Sequence, residues 1–66
     1  MKTRTLNLVN NKLNLLEKFV KEGNRDECQN IYNTIPSTGW NYFIDEIVNR
    51  GLGKIEGAFL KFNFEN

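Results

Sequence analysis

The sequence predicts a small all-α domain, a three- to four-helix bundle formed by residues 1–66 as one unit. Three observations predict it. Apolar residues recur at spacings of three and four in successive segments. Gly23, Pro36 and Gly51 punctuate those segments where helices should stop. The chain is 66 residues long and 39% hydrophobic with five Phe, enough for one core and too short for two.

The first helix is expected over about 5–22. Leu6, Val9, Leu13, Leu16 and Val20 form one row. Leu8, Leu15 and Phe19 form a second, displaced around the helix at about 100° per residue. Asn7, Asn10, Asn11, Asn14, Glu17, Lys18 and Lys21 fill the opposite face. Thr3 or Thr5 is the expected N-cap, and Gly23 suits the left-handed position after the end.

A second helix is expected over 25–35, capped by Asn24, with Asp26 and Glu27 favouring its positive end. Cys28, Ile31, Tyr32 and Ile35 share a face, and Pro36 ends it. The short joint at Gly23–Asn24 implies an antiparallel helical hairpin. A third helix, capped by Ser37 or Thr38, is expected over 39–50 with Trp40, Phe43, Ile44, Ile47 and Val48 as its stripe.

Residues 53–62 fit a fourth helix through Leu52, Ile55, Phe59 and Phe62. Leu60, Phe62 and Phe64, alternating with Lys61 and Asn63, also fit a strand. The alternative fold is therefore α+β, with 2–8 and 58–64 paired as strands. The helical reading is preferred because the first helix keeps its spacing unbroken from Leu6.

Composition narrows the function classes. The formal net charge is +1, which argues against a strongly basic nucleic-acid binder. There is no histidine and one cysteine, so neither a Cys/His zinc site nor a histidine-activated nucleophile can be built. Asp26–Glu27 and Asp45–Glu46 are adjacent acids whose side chains diverge on a helix. Cys28 lies on an apolar face, where a thiol is inert. No catalytic, cofactor or metal residues are expected, and no small-molecule cofactor. No apolar run reaches membrane-spanning length, and a single cysteine implies no oxidising compartment. The expected location is the cytoplasm.

Gly51-Leu52-Gly53-Lys54, between two apolar helical patterns, resembles the turn of the helix-hairpin-helix DNA-binding family over residues 44–60. The resemblance implies that Gly51 and Gly53 present backbone amides to a phosphate, that Leu52 is buried, and that Lys54 and Arg50 add charge. Lys61 would enlarge the basic patch, and Glu46, Glu56 and Glu65 would dilute it. Asn49 stands where that family carries an apolar residue.

The double apolar row of the first helix supports a different expectation. Leu8, Leu15 and Phe19 exceed what one core face needs, and exposed apolar surface on a small protein marks a binding site. Tyr42, off the third helix's stripe, is the added surface candidate. The expected function is a non-catalytic protein–protein interaction module, whose partner is another protein or a second copy of the chain. Eleven Asn against one Pro suggest an AT-rich coding sequence. With the small size, that fits a phage or mobile-element regulator or inhibitor of a larger host protein. The alternative is a DNA-binding module acting through Gly51–Lys54 without reading sequence.

Overall fold

A computed structural model of the protein describes residues 2–64. Helix α1 spans Thr3–Glu22, α2 spans Arg25–Asn33, a 3-10 turn covers Ser37–Gly39, and α3 spans Trp40–Asn49. Strands β1 (Gly53–Glu56) and β2 (Phe59–Phe62) follow. The fold is therefore a small α+β arrangement of three helices and one antiparallel hairpin, which corrects the expected all-α bundle.

The helix ends follow local chemistry. After α1, Gly23 takes a left-handed φ of 71°, and its N–H donates to the Val20 carbonyl. The Asn24 N–H reaches back to the Phe19 carbonyl at 2.9 Å. These two bonds make a Schellman stop. Asn24 then caps α2, its Oδ1 accepting from the Glu27 N–H at 3.3 Å. One residue thus closes one helix and opens the next, which makes the turn short and the pair antiparallel.

The same device ends α3. Gly51 has φ 70°, its N–H donates to the Val48 carbonyl, and the Leu52 N–H donates to the Ile47 carbonyl at 2.9 Å. Leu52 is buried beside Ile47 in the core. This is the apolar contact that accompanies a Schellman turn.

Four candidate cap residues are not used. Lys2 precedes α1 with no side-chain cap, and Thr3 and Thr5 lie inside the helix. Ser37 and Thr38 are taken up by the 3-10 turn, so Gly39 precedes α3. Helix α2 stops at Asn33, because Pro36 disfavours helical conformation in Ile35 before it.

The core sits between the three helices. Val9, Leu13, Leu16 and Val20 of α1 meet Cys28 and Ile31 of α2, Phe43 and Ile47 of α3, and Leu52. Each such aliphatic or aromatic side chain contributes roughly 1.5–3 kcal/mol through burial. An aromatic chain lies beside it. Tyr32 meets Trp40 edge-on at 4.9 Å and Phe62 at 6.5 Å, and Phe62 meets Phe64 at 5.8 Å.

Residues 53–62 are strands because of Gly57. In the two-residue loop Gly57–Ala58 its φ of 61° occupies the first central position, while Ala58 keeps negative φ. This is the pattern of a II′ turn, whose twist suits a hairpin. A helix through the same residue would lose about 1 kcal/mol to glycine. The register pairs Gly53 with Phe62, Lys54 with Lys61, Ile55 with Leu60, and Glu56 with Phe59. Leu60 and Phe62 pack against the helical core on one face. Residues 58–64 thus do supply a strand, but its partner is 53–56. Residues 2–8 belong to α1, so the alternative pairing is also corrected.

Candidate functional site

Two flanks of α1 have different fates. Leu8 and Leu15 precede buried Val9 and Leu16 by one position. Asn10 and Asn14 follow buried Val9 and Leu13 by one. The two sets therefore lie about 100° to either side of the buried row. Helix α3 docks on the asparagine flank. The Tyr42 hydroxyl donates to Asn10 Oδ1 at 2.6 Å, and Arg50 donates to Asn14 Oδ1 at 3.0 Å. Arg50 also pairs with Glu46 at 3.5 Å.

The other flank stays open. Leu8 is 43% exposed and Leu15 49% exposed, against 2% or less for Val9, Leu13, Leu16 and Val20. Phe19 is half-buried against the core, with Lys18 Nζ 5.6 Å from its ring centre. Leu8 and Leu15 thus form an apolar surface seven positions long, with Phe19 tucked under its C-terminal end. Tyr42 does not join it. It is half-buried and its hydroxyl is committed to Asn10.

The Gly51–Lys54 segment is not a turn between two helices, because β1 begins at Gly53. The second helix of the helix-hairpin-helix pattern is absent from the described residues. Gly51 serves as the left-handed residue that ends α3. Gly53 is buried, and a Cβ there would lie 2.5 Å from the Lys61 carbonyl oxygen and 3.1 Å from Ile47 Cγ2. It is a packing glycine. Leu52 is buried, as part of the helix stop. Lys54 pairs with Glu56 at 3.0 Å, and Lys61 reaches the same carboxylate at 3.3 Å. Glu65 lies outside the described residues.

The structure adds a second apolar set that periodicity missed. Val48 is 46%, Ile55 53% and Phe59 75% exposed. A shallow groove of about 220 Å³ runs between the hairpin tip and the helices, lined by Tyr32, Trp40, Ile44, Ile55 and Phe59 among others. Reading 53–62 as a helix put Ile55 and Phe59 on one buried face. The strand pleat sends them to opposite faces of the hairpin instead.

Chemistry elsewhere is sparse. Cys28 is a buried free thiol. Burial pushes its pKa up, and the neighbouring Glu27 charge adds to the rise. It is thus far from the thiolate that a nucleophile requires. Among the described residues no three His, Cys, Asp or Glu side chains gather as metal ligands, and no helix is long and apolar enough to cross a membrane. No protein-family model, curated protein or solved structure matches the chain.

Proposed function

We propose that the protein is a non-catalytic interaction module that binds a protein surface through the open flank of α1. The observation that carries this reading is the exposure of Leu8 and Leu15 on a helix whose buried row is already complete. Leaving two large aliphatic side chains about half exposed forgoes roughly half of the 1.5–3 kcal/mol that full burial of each is worth, which a bound surface would recover. A helix presenting apolar side chains one and two turns apart fits a groove on a partner. Such a binder can regulate or inhibit a larger protein simply by covering its surface.

The test is the double variant Leu8→Glu/Leu15→Glu in the full chain. Sedimentation across a concentration series reads self-association, and capture from lysate with crosslinking at position 11 reads contact with another protein. The unaltered chain should form a complex in one of the two assays, and the variant should lose it while unfolding at the same urea concentration. Identical complexes from both chains, or none from the unaltered chain, would overturn the reading. Global unfolding of the variant would instead assign Leu8 and Leu15 to the core.

A further inference from the structure

We infer that the outer edge of β2 is a docking site for an extended, acidic segment of another protein, which adds to the hairpin as a third strand. The sheet has two strands, in the order β1-β2, so no third strand among the described residues lies along the far side of β2. Backbone parity shows what that edge offers. The two-residue turn pairs Glu56 with Phe59, the Lys54–Lys61 pair follows two residues on, and the Asn63 N–H donates to the Leu52 carbonyl at 2.7 Å. Alternate residues of an antiparallel ladder point their backbone groups to opposite sides. Phe59, Lys61 and Asn63 therefore face β1. The N–H and C=O groups of Leu60 and Phe62 face outward, as an unfilled row of donors and acceptors.

That row borders an open groove of about 490 Å³. Its lining is consecutive along the strand, Leu60, Lys61, Phe62, Asn63 and Phe64, with Arg25 of α2 beside them. Five residues of strand span about 17 Å, the length of an extended segment of the same size. Arg25 is held in place, its guanidinium carbon 4.4 Å from the centre of the Phe64 ring. Among the described residues the lining carries two cations and no carboxylate, with Lys61 Nζ also 3.3 Å from Glu56 outside it; Asp26 and Glu27, next to Arg25 in the chain, do not take part in it.

Charge selects the occupant. A second copy pairing antiparallel through β2 would set Lys61 near Lys61 and bring two Arg25 side chains towards one strand pair. Like charges opposed across strands destabilise pairing, and edge lysines guard against it. A strand with acidic residues at two neighbouring positions meets both needs, because its backbone fills the ladder and it turns one carboxylate to each face, towards Lys61 on one and towards Arg25 beside Phe64 on the other. Strand addition of this kind takes affinity from the main chain and specificity from alternate side chains. This site is separate from the α1 flank and does not rest on it.

The test uses the full chain, labelled with 15N, and the capped probe peptide Val-Glu-Glu-Val-Val. Controls carry Lys in place of Glu, or methylated amides at alternate residues. The acidic probe should shift the Leu60 and Phe62 amides and slow their hydrogen exchange, and both controls should bind poorly. Lys61→Gln and Arg25→Gln, checked for unchanged circular dichroism, should each weaken the acidic probe roughly tenfold, the loss of one charged hydrogen bond. The Leu8→Glu/Leu15→Glu chain should bind the probe as well as the unaltered one. No shift at Leu60 and Phe62 at millimolar probe, or equal binding of the lysine peptide, would overturn the proposal. So would concentration-dependent shifts of the same amides without probe, since these mean self-pairing.

Discussion

The hydroxyl of Tyr42 donates to Oδ1 of Asn10 over 2.6 Å, joining α3 to α1 between residues 32 positions apart. Tyr42→Phe keeps the ring and removes the bond. Equilibrium urea unfolding should show a loss of about 1 kcal/mol, the usual net worth of a hydrogen bond. Arg50→Ala, which breaks the more exposed bond to Asn14, should cost less. Equal losses would mean the two contacts are not graded by burial.

Gly53 and Gly57 are both glycines for different reasons, and substitution separates them. Gly53→Ala drives a methyl group against the Lys61 carbonyl oxygen and Ile47. Overpacking of this kind costs about 1–3 kcal/mol. Gly57→Ala has open space around it but a φ of 61°, which costs an L-residue about 1–2 kcal/mol. At position 57, D-alanine introduced by chemical synthesis should be tolerated where L-alanine is not. Thermal unfolding of the two synthetic chains reads the difference.

Asn24 caps α2 through its side chain, whereas Thr5 and Ser37 cap nothing. Asn24→Ala should cost about 1 kcal/mol. Thr5→Ala and Ser37→Ala should stay within about 0.5 kcal/mol of the unaltered chain by the same urea assay.

Cys28 is shielded, and burial raises its pKa. Its reaction with a disulfide reagent near neutral pH should be slower in the folded chain than in urea by a factor on the order of a hundred or more, because attack waits for opening. The raised pKa also fixes a sign. Stability holds below the ordinary thiol pKa and falls as pH rises from there through the raised folded value, because the unfolded chain releases that proton first. Cys28→Ala should remove this alkaline slope in urea midpoints measured against pH.

Glu56 accepts hydrogen bonds from Lys54 and Lys61, which hold its carboxyl below the usual glutamate pKa. The unfolded carboxyl takes up its proton first as pH falls. The pair's support of the hairpin is therefore present above the ordinary glutamate value and lost as pH drops through the lowered folded one. A carbon-detected NMR titration of the Glu56 side chain should give a midpoint below that of the same side chain in the urea-unfolded protein. In about 1 M salt the gap should shrink, since the ion pairs lie at the surface.

Much of the helical part is readable from residue spacing. Val9, Leu13, Leu16 and Val20 mark one face by their periodicity, and all four are buried. Gly23, Asn24 and Gly51 act where turn chemistry places them. The Leu8–Leu15 flank is readable too, as surplus apolar arc. The hairpin is not, because Ile55, Phe59 and Phe62 satisfy a helical spacing by coincidence. The deciding fact is the backbone conformation of Gly57, which no side-chain pattern records. The bond of Tyr42 is not legible in the sequence for a related reason. Helix phase places it off its own stripe, but only the docking of α3 brings Asn10 within reach of its hydroxyl. Asparagines counted as a solvated face, Asn10 and Asn14, turn out to be the clasp.

The contacts of Phe62 with Tyr32 and of Arg25 with Phe64 fasten the C-terminal strand to α2. Without the docked hairpin the Tyr32 ring keeps Trp40 and loses Phe62 as a neighbour. Peeling the hairpin away would uncover the side of the core against which Leu60, Phe62 and Phe64 pack. Proteolytic nicking near Gly57 should therefore leave behind a helical remnant with newly wetted aromatic rings.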